Sequence, residues 1–182
     1  SKEIARSMPL VDAQGRIALA GSSENSIATM FAAVRYLGTG SIDTSFFTSG
    51  IVTNSALATH GVYYAFLLQT DGRYVAIGGK NLLDVATARY QVDGSLDTGF
   101  NTTGFRSFDP GAGTSDVGYS GLIRTDGRIY VPGQSNGHFL VYRLNAESGA
   151  DTSFHTDGRA HTNLGQSGEA GLSVLEQTDG RI

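Results

Sequence analysis

Three aspartates stand where they could do chemistry. Asp43, Asp97 and Asp151 lie in "SIDTSF", "SLDTGF" and "GADTSF", each carboxylate followed by a threonine hydroxyl and closed by an aromatic ring. A carboxylate among hydroxyls can hold a cation, serve as a general base, or bond its own loop backbone. The spacing decides among these, because the three recur at a constant interval of 54 residues. A reaction centre is built once, whereas a supersecondary unit is built repeatedly. Arg35, Arg89 and Arg143 keep the same interval, each eight residues ahead of its aspartate. Each arginine is therefore expected to reach its aspartate, or the carbonyls beside it, and to pin a connector that Phe46, Phe100 and Phe154 plug into the core.

The remaining chemistry-bearing residues form no signature. His60, His138, His155 and His161 do not recur in step, and no His-Glu-x-x-His spacing appears. No metal site follows from them. The "DTSF" loops lack the alternating carboxylates of a calcium loop, so no cofactor is expected, calcium at a channel mouth being the one metal left open. There is no Gly-x-Ser-x-Gly elbow, and no catalytic residue is assigned.

Composition sets the frame for the elements that position these groups. The 182 residues are 40% hydrophobic and include 25 glycines and three prolines, a profile of short strands and many turns. A net charge of −4 with 13 Lys and Arg gives no basic face for nucleic acid. The absence of cysteine excludes disulfides and thiolate zinc sites. No apolar run approaches the roughly 18 residues of a membrane helix, and "SKEIARSMPLVD" has no apolar signal-peptide core.

A second signature repeats as well: "AQGR" (13–16) and "TDGR" at 70–73, 125–128 and 178–181. Asp-Gly between apolar runs predicts a two-residue type I′ hairpin, with the first copy, where Gln14 replaces Asp, the least well specified. Strands are expected before each turn, at 62–69, 117–124 and 170–177, with Leu10, Leu67, Leu122 and Leu175 in the core. Tyr64, Phe66 and Leu68 on one face and Tyr63, Ala65 and Leu67 on the other imply a sheet covered on both sides. A second strand ends at Gly21, Gly78 or Gly133, and Pro132 places the third copy of it at an edge or a bulge. A third strand carries the arginine, and a short fourth begins near Gly50, Gly104 or Gly158. No segment has a capped 3.6-residue periodicity, so helices should be nearly absent.

Four antiparallel strands per repeat fit a propeller blade better than a solenoid coil. The stretch "TDGRYVAIGG…VATARYQVDGSLDTGFNTTG" resembles the bacterial delta-60 repeat, and the likeness runs through nearly the whole chain. Departures are Gln14, Leu144 where Tyr36 and Tyr90 stand, and "SGAD" in the third copy. The resemblance implies an all-β propeller in secreted or surface-attached bacterial proteins, with no established catalytic activity. One repeat domain, residues 1–182, is expected, with blades over roughly 5–61, 62–116 and 117–169 and part of a fourth over 170–182. About three blades do not close a ring of four to eight. The chain is accordingly expected to be a fragment of a longer propeller or a protomer that completes a ring with copies of itself.

In such a meander the Asp-Gly turn and the Asp-Thr connector share one end of the blade, and the two varying loops share the other. Varying loops on a repetitive scaffold mark the binding face. Asn25, His60, Asp84, Asp109, Asp116, Asn136 and His138 are its candidate ligand-binding residues. The leading expectation is a non-enzymatic scaffold binding a protein or a glycan. The alternative is a hydrolase of lactonase or glycosidase type with carboxylates at the channel mouth.

Overall fold

The structure, a computed structural model, describes residues 2–54, 57, 60–81, 83–109, 115–166 and 168–182. They form three antiparallel sheets and no helix. The first holds β1 (Lys2–Ala5), β2 (Leu10–Val11), β3 (Ile17–Glu24), β4 (Thr29–Tyr36) and β5 (Ile51–Asn54), in the order β1-β3-β4-β5 with β2 also on β3. The second is the meander β6 (Gly61–Leu68), β7 (Tyr74–Lys80), β8 (Asp84–Tyr90) and β9 (Phe105–Phe108). The third holds β10 (Asp116–Gly118), β11 (Leu122–Ile123), β12 (Ile129–Ser135), β13 (His138–Leu144) and β14 (Arg159–Thr162). There β10 and β11 are two halves of one strand, both paired with β12.

Two apolar layers join the three sheets. Tyr74, Ala76, Ala86 and Tyr90 of the second sheet pack on Ala18, Ala20, Phe31 and Val52 of the first. From its opposite face Val75, Ile77 and Val85 pack on Ile129, Val131 and Leu140 of the third. The period-2 pleat sends alternate residues of one strand into different layers, which is why β7 and β8 are apolar throughout. Each buried Phe, Val or Leu contributes about 1.5–3 kcal/mol relative to exposure, so these two layers carry most of the stability. The glycines that end the second strands answer to close approach. A Cβ on Gly21, Gly78 or Gly133 would lie 1.9, 1.9 or 2.0 Å from the carbonyl oxygen of Ile4, Val62 or Val117.

Several expectations are corrected. The hairpin at 69–73 is not type I′: Gly72 has φ 86° while Asp71 is not left-handed, and Gln69 bonds both Gly72 and Arg73, a type I turn followed by a glycine bulge. The first copy is equally well specified, because Asp12 supplies the carboxylate that Gln14 lacks and accepts from the Gln14 and Arg16 backbone N–H groups at 2.9 Å each. A bulge between Tyr63 and Ala65 shifts the register, so Tyr63 shares the first layer with Phe66 and Leu68 while Tyr64 leaves that face. Pro132 is in a central strand rather than at an edge, and of the two expected alternatives the bulge holds, residues 119–121 standing opposite 131–132. Its missing N–H faces the inner strand, and the ladder is broken there between β10 and β11. Residues 170–177 form no strand, having no ladder partner among the described residues, and Leu175 is 80% exposed. Leu10, Leu67 and Leu122 are half-buried rather than fully in the core.

The bulged residues show where the sheets converge. Arg6, Tyr64 and Tyr119 hold equivalent places in the three first strands, and they touch in sequence: the Arg6 guanidinium is 5.7 Å from the Tyr64 ring, which lies 5.4 Å edge-on from Tyr119. This row places the first strands nearest the axis that the sheets share.

Candidate functional site

At the repeating end, each arginine on the third strand meets its aspartate across the connector. Arg35 Nε donates to Asp43 Oδ2 at 2.7 Å and Arg89 Nε to Asp97 Oδ2 at 2.6 Å, all four residues being buried. In the third sheet Arg143 Nε is 2.8 Å from Asp151 Oδ2, an ion pair whose N–H is not aligned on the oxygen. The other carboxylate oxygen closes a local turn, accepting from the backbone N–H of Ser45, Gly99 or Ser153 at 3.0, 3.0 and 3.1 Å. Each guanidinium also lies over the closing phenylalanine, 4.7–4.9 Å from the ring centroid.

The same arginines tie neighbouring sheets together. Arg35 Nη1 donates to Val92 O of the second sheet's connector at 2.6 Å, and Arg89 Nη1 donates to Ala146 O of the third at 2.7 Å. The Arg of the "TDGR" turn adds a second cation: Arg73 Nη1 reaches Asp97 Oδ2 at 2.7 Å and Arg128 Nε reaches Asp151 Oδ2 at 3.0 Å. The recurrence of Arg73 and Arg128 after Asp-Gly is legible in the sequence, but their separations from Asp97 and Asp151 differ and Arg16 of the first copy pairs with Asp12, so spacing alone does not give this role. Burial pushes the Asp97 carboxyl up, but the bonds from Arg73, Gly99 N–H and Arg89 outweigh it and hold the group below the usual carboxylate range. At Asp43, burial is likewise outweighed by the Ser45 hydroxyl and N–H and by Arg35. These carboxylates are thereby committed to structure.

The opposite end is polar and differs from sheet to sheet. Asn25 caps the four-residue loop 25–28, its Oδ1 accepting from Ile27 and Ala28 N–H at 2.9 and 2.8 Å. His60 is exposed, bridges to Thr29, and exchanges bonds with Asn81 of the next hairpin. Asp84 opens β8 opposite Lys80 and is half-buried, while Asp109 is exposed just beyond β9. Asp116 departs from the expectation of an open loop residue. It is 0% exposed inside β10, where its N–H donates to Leu83 O at 3.2 Å and sews the third sheet to the second.

Asn136 and His138 belong to the two-residue hairpin at 136–137, with Asn136 left-handed at φ 52°. Around them the structure gathers two groups that sequence reasoning did not select. His138 Nδ1 is 3.3 Å from Glu169 Oε2, and its ring meets His161 edge-on at 5.5 Å. Glu169 is buried, and burial raises its carboxyl pKa. Bonds from the Leu164 and Gln166 N–H groups and from His138 prevail and lower it. His138 and Glu169 lie 31 residues apart on different elements, so no local pattern announces the pair. No hydrogen bond, ion pair or ring contact between described residues joins Asn25 or His60 to Asn136 or His138: the candidates form two polar patches. Imidazole, amide and carboxylate there can exchange hydrogen bonds with hydroxyl or amide ligands.

Consecutive antiparallel meanders, packed face to face about a common axis and clamped by a recurring Arg–Asp connector, define a β-propeller repeat protein. A family model described as a domain of unknown function (DUF5122) beta-propeller matches residues 14–46 and 69–100. Each matched span runs from the hairpin turn through the second and third strands to the closing Phe46 or Phe100. Comparison with curated proteins finds no match to the chain.

Proposed function

We propose that the chain is a delta-60-type scaffold, secreted by or displayed on a bacterial cell, that binds a protein or a glycan through the loop end of its sheets. One contrast carries the reading. At the repeating end the recurrent charged groups are taken up in the Arg–Asp clamps, whereas the opposite end sets Asn25, His60, Asn136 and His138 on loops of unequal length. Such a role needs no cofactor and no reaction centre; ligand specificity then lies in the loop side chains.

Glycan and protein arrays probed with the labelled chain test this. Binding falls about tenfold in Asn136→Ala and His138→Ala, the loss of roughly one hydrogen bond each, and is unchanged in Thr70→Ala and Thr125→Ala at the repeating end. Loss of binding in the Thr variants alone, or turnover of a bound lactone or glycan, would overturn the proposal.

A further inference from the structure

The junction between the second and third sheets holds a polar pair where the other sheets have apolar ones. Thr87 on β8 stands opposite Arg106 on β9, and the corresponding pairs are Ala33 with Val52 in the first sheet and Val141 with Ala160 in the third. Thr87 is fully buried on the same side of the pleat as Val85, which packs on the third sheet. Arg106, directly across the ladder, shares that side. Arg106 Nε and Thr87 Oγ1 are both shut away from solvent, and neither has a hydrogen-bond partner among the described residues. Burial without a partner carries a desolvation penalty that an apolar pair of similar volume avoids. Stability therefore does not explain why this pair is polar.

The rest of the Arg106 side chain is set out for a partner. Arg6 and Arg106 are the two arginines that form no ion pair among the described residues, and of these Arg6 is exposed whereas Arg106 is half-buried. The Arg106 guanidinium lies 5.9 Å from the centroid of the Phe108 ring, and Phe108 stacks at 4.1 Å on Tyr142 of the third sheet. Because β9 is the last strand of its sheet and the first strands are nearest the axis, this stack seats the cation at the outer rim of the junction. Nε faces inward, which leaves the two Nη groups as the part of the side chain open to a ligand. On the third sheet Arg159, register-paired with Tyr142, takes Asp157 for itself, Nε to Oδ2 at 2.6 Å.

We infer that Arg106 anchors a carboxylate-binding site at the rim between the second and third sheets. The planar pair of Nη donors matches the two oxygens of a carboxylate, free or carried by an acidic sugar, while Phe108 backs the cation. One uncompensated positive charge suits one carboxylate better than a doubly charged phosphate. The site uses none of the loop residues Asn25, His60, Asn136 or His138, so it stands or falls apart from the function proposed above.

Nuclear magnetic resonance titration of the isotope-labelled 182-residue chain with acetate, glucuronate and inorganic phosphate at low ionic strength tests the assignment. Saturable shifts of the Arg106 side-chain N–H and the Phe108 amide are expected with the carboxylates. Equal affinity for acetate and glucuronate identifies the carboxylate alone as the ligand, and tighter glucuronate identifies an acidic sugar. Arg106→Leu should weaken binding at least about tenfold while keeping or raising the melting temperature, a combination that separates a ligand anchor from a structural residue. Arg106→Lys, which keeps the charge and loses the fork, should weaken binding by a similar factor. Thr87→Val, which leaves the fork in place, should keep both the binding and the melting temperature. No saturable carboxylate binding, a preference for phosphate, or affinity that Arg106→Leu leaves unchanged overturns the inference. An Arg106→Leu chain that fails to fold overturns it as well, since the guanidinium would then serve the fold.

Discussion

Replacing Asp97 by asparagine tests the clamp with almost no change of shape. Asp97 Oδ2 accepts Arg89 Nε at 2.6 Å and Arg73 Nη1 at 2.7 Å, while Oδ1 accepts Gly99 N–H at 3.0 Å. Asparagine can keep the Gly99 bond but turns an amide NH₂ toward two guanidinium groups. The two arginines respond differently to that loss. The Arg73 side chain is 30% exposed and rehydrates, so its share is under about 1 kcal/mol. Arg89 is 5% exposed and keeps only Ala146 O and the face of Phe100, and stranding a buried charge in this way costs about 3–5 kcal/mol. A total near 4 kcal/mol corresponds to a melting temperature lower by roughly 8–16 °C for a chain of this length. Arg73→Ala, removing only the exposed partner, should cost about 1 kcal/mol or less. Urea titrations at neutral pH, followed by circular dichroism and compared by midpoint at unchanged slope, give both numbers. If Asp97→Asn lies within about 1 kcal/mol of the unaltered chain, or if Arg73→Ala costs as much as it does, the buried clamp does not hold the connector.

Three further outcomes are expected from the geometry. Asp43 and Asp97 have folded-state pKa values below their unfolded ones, so their stabilisation is complete above about pH 4 and drains away as pH falls through the lowered values; Asp97→Asn should flatten that acid limb of the melting curve, and parallel curves would count against it. Gly78→Ala puts a Cβ 1.9 Å from Val62 O and should cost about 3 kcal/mol by prising β6 from β7, read as a lower urea midpoint; an unchanged midpoint would show that β6 yields freely. The Tyr63 and Tyr90 hydroxyls share a bond of 2.9 Å in the core, where burial pushes Tyr90 up to about 12 and Tyr63 well above its usual value. In an ultraviolet titration two of the eight tyrosines should ionise last, with unfolding, and Tyr63→Phe should remove one of the two late ionisations.

What the sequence discloses of this molecule is what a single repeat can encode by itself. Arg35 and Asp43 are eight residues apart on one strand and its connector, so spacing alone suffices to pair them. The glycines at 21, 78 and 133 are legible as a recurring stop, though their reason, a carbonyl from the strand alongside, is a tertiary fact. The failures have the same root. Asp12 stands in for the missing aspartate at 14 because a turn carboxylate works from either position, which a motif aligned by column does not reveal. The bulge at Tyr64 leaves no mark in the alternation of Tyr63 to Leu68, where every residue is apolar or aromatic. Asp116 reads as a loop residue because its burial comes from the neighbouring sheet. At the candidate site, Asn136 and His138 stand out as hairpin residues, but Glu169 arrives from the far side of β14 and carries no local signature.

Hydrogen-bond partnership also accounts for why one end of the chain repeats and the other does not. The connector at 91–95 answers to two sheets at once: Gln91 closes the loop with Gly94 and Ser95, and the Val92 carbonyl receives the arginine of the preceding sheet. A change in connector length would misplace both, so insertion is costly there in every copy. The opposite hairpins are held by local turns and by backbone bonds to a neighbouring segment, Leu83 O accepting from Asp116 N–H and Gly137 O from Glu169 N–H, but by no buried Arg–Asp pair among the described residues. The loop 25–28 satisfies its N–H groups with Asn25 Oδ1, Leu83 N–H returns to Lys80 O, and the 136–137 hairpin turns on a left-handed Asn. Each such solution tolerates a different length without disturbing the layers beneath, since the strands below are already fixed from the clamped end. Freedom to vary is thus a consequence of where the Arg–Asp clamps lie. The face on which ligand specificity can diverge is the one the clamps leave alone.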